Sequence, residues 1–142
     1  MKIVLDASMA LAWLIERVDP AERALARKAF ARIGASGTEV PALWFAEVAN
    51  TLLVFERARK LTEQDSANYL FGLAQVEIMQ DDAPPVVLQP RILELGRRHG
   101  LTAYDATYLE LAMRRGGSLA TFDRKLADAA RTAGVKVFGD TP

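Results

Sequence analysis

Residues 2–8 read Lys2-Ile3-Val4-Leu5-Asp6-Ala7-Ser8, and this stretch decides the fold. Ile3, Val4 and Leu5 form an unbroken apolar run with two β-branched members. A run without polar alternation fits a strand covered on both faces, as in a parallel sheet. The strand is read as Lys2–Asp6. Ser8 is read as the N-cap of a helix running to Glu16, since helix caps are commonly Ser or Asp. In an open α/β sheet, ligands bind beyond the carboxyl ends of the strands, where strand turns into helix. Asp6 is the first side chain placed to reach that crevice.

Working outward, strands and helices alternate. Asp19-Pro20 opens a helix to Ile33, with Pro20 at its first position. Glu39-Val40 is a brief strand. A long helix, Ala42–Lys60, carries a stripe of Trp44, Val48, Leu52 and Phe55, with Phe45, Ala49, Leu53 and Ala58 further round. Thr62 caps a helix to Val76 that turns Tyr69, Leu70, Leu73 and Val76 inward. A helix apolar on most sides is buried or meets a partner. Ala42–Lys60 and Thr62–Val76 therefore either face a partner or bury against each other. Val76–Gln80 reads as a strand and Asp81–Pro85 as a solvated loop. A helix from Pro90 to His99 follows, with His99 at the surface. Thr102–Arg115 is a helix stopped by Gly116-Gly117. Ser118–Thr121 is a strand, Asp123–Thr132 a helix and Val135–Phe138 the last strand. The alternation predicts a single α/β domain over residues 1–142.

Composition narrows the chemistry. The 142 residues contain no Cys and one His, so disulfides, thiolate nucleophiles and Cys- or His-rich metal sites are excluded. Any catalysis must use carboxylates, hydroxyls, Lys or Arg. The 18 basic and 18 acidic residues give zero net charge, so bulk charge does not announce a nucleic-acid binder. No apolar run approaches the roughly 20 residues of a membrane span, and no signal peptide is legible. The expected location is cytoplasmic.

Four carboxylates stand out. Asp6 and Asp123 follow strands. Asp105 lies three residues after the cap Thr102. Glu47 sits a turn into the long helix, beside its apolar stripe. Each has a local explanation. Asp6 and Asp123 can be helix caps, Asp105 can close a T-x-x-D capping box, and Glu47 can be a solvated rim residue. Together they suggest something more, because strand ends of a parallel sheet converge at one edge. Crowded carboxylates repel unless a cation neutralises them. Oxygen ligands without His or Cys select Mg²⁺ or Mn²⁺, which can activate water and neutralise a leaving oxygen.

Four stretches carry a family resemblance. They are Ile3-Val4-Leu5-Asp6-Ala7-Ser8, Ala46-Glu47-Val48-Ala49-Asn50, Leu101-Thr102-Ala103-Tyr104-Asp105-Ala106-Thr107-Tyr108-Leu109, and Ala120-Thr121-Phe122-Asp123-Arg124-Lys125-Leu126. In this order and spacing the chain resembles PIN domains, specifically VapC-like toxins of bacterial toxin–antitoxin pairs. The resemblance implies a PIN-like α/β/α sandwich with a mostly parallel five-stranded sheet. It implies a metal-dependent endoribonuclease with an acidic site of Asp6, Glu47, Asp105 and Asp123. Of these, Asp6, Asp105 and Asp123 would hold Mg²⁺, or Mn²⁺ in its place, with Glu47 acting directly or through water. Ser8 and Thr121 match supporting hydroxyls. Asn50, one turn from Glu47, either faces the same cleft or is a solvated helix residue. The family also implies a homodimer and a cognate antitoxin.

Arg97, Arg98, Arg114, Arg115, Arg124 and Lys125 are candidate phosphate contacts, with Arg124 and Lys125 nearest the site. Arg114-Arg115 can instead complement a helix C-terminus. Competing readings fit less of the pattern. A phospho-accepting receiver domain needs an acidic pair at the first strand end, and a haloacid-type phosphatase needs D-x-D where this chain has Asp6-Ala7-Ser8. A non-catalytic binding module on the same fold, or a PIN nuclease of RNA maturation, are the alternatives.

Overall fold

Five strands form the sheet: β1 (Ile3–Leu5), β2 (Thr38–Val40), β3 (Ile78–Gln80), β4 (Ser118–Ala120) and β5 (Lys136–Val137). The computed structural model describes residues 2–141 and places them in the order β3-β2-β1-β4-β5, every pair parallel. The chain builds outward from β1 through β2 to β3, then returns to the other side of β1 to lay down β4 and β5. The topological switch point therefore lies between β1 and β4. Leu5 is in register with Ala120, and the Asp6 amide donates to the Ala120 carbonyl at 3.0 Å, so Asp6 and Thr121 emerge side by side.

Among the described residues, seven helices accompany the sheet: α1 (Ala7–Leu11), α2 (Pro20–Ser36), α3 (Leu43–Arg57), α4 (Glu63–Leu73), α5 (Pro85–His99), α6 (Ala103–Arg115) and α7 (Arg124–Thr132). The architecture is an α/β sandwich with an all-parallel sheet. Ile3, Val4 and Leu5 are buried together, as an uninterrupted apolar strand requires. Helix α6 packs against β1 and β4, flanked by α5 and α7, while α1 packs on α2 and α3. Leu109, Leu111 and Ala112 of α6 are fully buried. Burying a Leu side chain contributes about 1.5–3 kcal/mol, which fixes this helix and the residues at its ends. Gly116 takes the left-handed φ of 62° that closes α6, and a Cβ at Gly117 would stand 2.5 Å from the Lys2 carbonyl oxygen. Only glycines can make this stop so close to the first strand.

Several boundaries differ from expectation. Helix α5 begins at Pro85, not Pro90. Pro85 fits the first turn, where its missing N–H has no helical partner anyway. Pro90 then lies inside the helix, following exposed Val86 and Val87, where water can serve the carbonyl it leaves free. Ser8 does not cap α1. Asp6 is the N-cap residue, without a side-chain cap bond, and the Ser8 hydroxyl turns back to it. Leu70 of α4 is exposed rather than inward, as are Phe45, Leu53 and Val54 of α3 and Phe71 of α4. Trp44, Val48 and Leu52 are buried, so α3 uses only one stripe for the core of this chain.

Asp81 is likewise no solvated loop residue. It is only 7% exposed and receives the Arg114 fork, Nη1 to Oδ1 at 3.0 Å and Nη2 to Oδ2. Arg114 also reaches buried Glu110 through Nε at 2.8 Å, and Arg115 bonds buried Glu39 at 3.0 Å. Both arginines are thus engaged in an ion-pair network that ties α6 to the β2–β3 edge. They are not free phosphate contacts, as their place in the last helical turn had allowed. Among the described residues, no helix is long and apolar enough to cross a membrane.

Candidate active site

Asp6 stands at the switch point, 5% exposed, because β1 ends there and α1 starts at the next residue. Its Oδ2 accepts the Thr121 hydroxyl at 2.6 Å and the Ser8 hydroxyl at 2.7 Å. The same two hydroxyls organise the strand β4 exit. Ser8 Oγ accepts from the Phe122 amide at 3.0 Å, and Thr121 Oγ1 accepts from the Asp123 amide at 2.9 Å. Each hydroxyl spends its single proton on Asp6 and offers lone pairs to the backbone. The loop that carries Asp123 is thereby stitched to the end of β1. Asp123 is the N-cap of α7, its Oδ1 accepting from the Leu126 amide at 2.8 Å. The local reading of Asp123 is satisfied by this cap, which engages Oδ1, and its charge also acts on Asp6 and Asp105.

Asp105 sits in the first turn of α6. The Thr102 hydroxyl accepts from its amide at 3.1 Å, so Thr102 caps the helix. The reciprocal half of a capping box is absent here. The same T-x-x-D pattern at Thr62 and Asp65 makes both halves, the Asp65 carboxylate accepting from the Thr62 amide at 2.9 Å. That bond holds Asp65 below the usual carboxylate range, whereas Asp105 is pushed up to about 6. Burial is the main cause, with Asp123 and Asp6 adding repulsion and Lys125 partly offsetting it. The shared T-x-x-D pattern therefore yields a closed capping box in α4 and, in α6, a carboxylate left facing other acids.

Glu47 projects from α3, half-buried. Its Oε1 accepts the Tyr108 hydroxyl at 2.8 Å. Burial raises its pKa, opposed by the Tyr108 bond and reinforced by Asp6 and Asp105. Asp6 is raised too, by burial first, against the pull of its hydroxyl partners. The four acids are thus near enough to act on one another electrostatically, from four different elements. Among the described residues, no group of three or more carboxylate or imidazole side chains is arranged to hold a metal ion together. Asp6, Glu47, Asp105 and Asp123 offer oxygen donors only, the type that hard divalent cations take.

Asn50 is exposed on α3. Arg124 and Lys125 are exposed at the start of α7, and the Lys125 side chain stands by Gly100 at the end of α5. Arg97 and Arg98 are exposed in that last turn of α5, and His99 is half-buried. A groove of about 630 Å³ runs from Ser8 past Leu11 and Ile15 to Arg17, with Thr51 and Phe55 on its other wall. Arg17 lies 4.6 Å above the Phe122 ring, a contact without a sequence signal. Tyr108 is the other residue missed. It belongs to the Tyr104–Tyr108 motif, three residues after Asp105 and so on the same helical face, and that spacing could have revealed it.

The Asp105 shift has a measurable consequence. A carboxylic acid whose pKa is raised on folding binds protons more tightly in the folded state. Its contribution to stability is most favourable below 3.8 and is lost as the pH rises through about 6. In EDTA, Asp105→Asn should stabilise the protein more at pH 7.5 than at pH 4.5. Urea unfolding of both proteins at the two pH values checks this, and an equal gain at both would contradict it.

The PIN domain family profile matches residues 3–132, and the chain belongs to that family. It is 35% identical to ribonuclease VapC3 of Pyrobaculum aerophilum over 133 residues, covering 90% of this chain and 94% of that protein. The VapC-like resemblance drawn from the four motifs holds. Among solved structures, PAE2754 of Pyrobaculum aerophilum superimposes with a TM-score of 0.67 at 24% identity, covering 91% of this chain and 86% of the other. FitAcB of Neisseria gonorrhoeae gives 0.63 at 20% identity, with 96% of each chain covered. These two likenesses speak for the fold.

Proposed function

We propose that the protein is a Mg²⁺-dependent endoribonuclease that serves as the toxin of a toxin–antitoxin pair, hydrolysing RNA phosphodiester bonds. The support for this reading is that Asp6, Glu47 and Asp105 are each raised in part by another acid of the set, Asp123 among them, in a chain 35% identical to a VapC ribonuclease. Asp6, Asp105 and Asp123 would hold the cation, with Glu47 contributing directly or through water. A bound divalent ion supplies an activated water and neutralises charge at the phosphate. Ser8 and Thr121 fix the Asp6 carboxylate and the Asp123 loop through the hydrogen bonds described. Arg124 and Lys125, exposed beside Asp123, contact the RNA backbone. Mn²⁺ can take the place of Mg²⁺, since the donors are all oxygen.

The exposed apolar residues Phe45, Leu53, Val54, Leu70 and Phe71 support protein partners, namely a second copy of the chain and a cognate antitoxin. The test is incubation of the purified protein with structured RNAs. Cleavage is expected with Mn²⁺ or Mg²⁺, loss of cleavage in EDTA, and recovery on adding excess cation. Cleavage that persists in EDTA would overturn the mechanism. Tight RNA binding without cleavage under any cation would favour a non-catalytic PIN module instead.

A further inference from the structure

Tyr108 lies outside the acidic pattern, yet it is fully buried and its hydroxyl reaches Glu47 Oε1 at 2.8 Å. A buried phenol needs a partner for its proton. Two features define this partnership. An ionised carboxylate can only accept, so the phenol's one proton goes to Glu47. The second feature is helical. Tyr108 follows Asp105 by one turn of α6, so the helix that delivers Asp105 to the cleft also delivers the phenol.

We propose that Tyr108 is a positioning residue for the cation, gripping Glu47 by Oε1 so that Oε2 is the oxygen left for the cluster. This rests on the metal-dependent nuclease reading above. Glu47 is a half-buried side chain repelled by Asp6 and Asp105. Without the phenol, repulsion and solvation both favour swinging it out toward water. With the phenol in place, Glu47 is held at the rim, and its Oε2 is free of the Tyr108 bond. Outer partners that orient metal ligands typically change affinity by about 10–100-fold when removed.

The experiment is a Mn²⁺ titration of the metal-free protein by calorimetry, with circular dichroism confirming that each variant is folded. Tyr108→Phe should weaken Mn²⁺ binding by about tenfold or more. In a Glu47→Gln background the same change should add little, because Tyr108 acts through Glu47. Glu47→Asp keeps the charge but withdraws it from the phenol, and should weaken binding to a similar degree. Wild-type affinity in Tyr108→Phe, or in Glu47→Asp should Tyr108→Phe not fold, would overturn the proposal. An equal loss with and without Glu47 would do the same. A wild-type protein that binds no Mn²⁺ defeats the nuclease reading itself, and that result is visible before any variant is compared.

Discussion

Asp6→Asn should lower RNA cleavage by about a thousandfold or more, while the melting temperature in EDTA stays level or rises. The activity loss corresponds to on the order of 4 kcal/mol of transition-state stabilisation. Asp6 is the most enclosed of the four acids and sits where β1 and β4 diverge. Its charge is the one a cation would meet at the floor of the cleft. The stability half of the expectation has a separate origin. Burial and the nearby Asp123 both oppose ionisation of Asp6. Asparagine keeps the size of the side chain, and its carbonyl can accept the Ser8 and Thr121 hydroxyls in place of Oδ2. The stitch between β1 and the Asp123 loop then survives without the buried charge. Cleavage assays and thermal melts on the same preparation separate the two effects. Activity within tenfold of wild type would remove Asp6 from the chemistry. A melting temperature several degrees lower would recast it as a structural anchor.

The second large effect is on folding. Arg114→Ala should destabilise the protein by about 3–5 kcal/mol, the usual result of stripping one partner from a buried ion pair. Its guanidinium serves two buried acids at once, Asp81 and Glu110, from a side chain 28% exposed. Removing it leaves both carboxylates enclosed, with Arg115 at 3.4 Å from Asp81 as partial relief. Native stabilities are typically about 5–15 kcal/mol, so the loss would be visible in any denaturant titration. Arg114→Lys should recover part of it, since an ammonium restores charge but not the fork. Arg131, paired with Asp128 and Asp140 at the surface, is the contrast. Arg131→Ala should hardly move the denaturation midpoint, because solvent screens exposed pairs. Equal effects from the two substitutions would show that the buried network is not what secures α6.

Much of this protein was legible locally. The apolar run Ile3–Leu5, the cap at Thr102 and the stop at Gly116-Gly117 are short-range signals, and the structure places them as read. Pro85 and Pro90 were harder, because both suit a helix start and only the exposure of the first turn lets Pro90 lie inside. Asp81 beside Asp82, Ala83 and two prolines carries every mark of a solvated loop. Its burial comes from Arg114, 33 residues away along the chain. Leu70 fitted the inward stripe of α4 but lies outside it, since an apolar pattern tells which residues prefer burial and not what stands opposite them.

Sequence alone determined the alternating parallel fold, because hydrophobic period, caps and turn residues act over a few neighbours, and its four motifs carried the family resemblance. Tertiary structure decided which T-x-x-D carboxylate closes a capping box and which is left facing other acids. Thr62/Asp65 and Thr102/Asp105 share one pattern, yet only the first closes its box, and only the second is held against Asp6 and Asp123. That difference, like the grip of Tyr108 on Glu47, depends on the low-dielectric surroundings and distant charges that a folded sheet edge brings together.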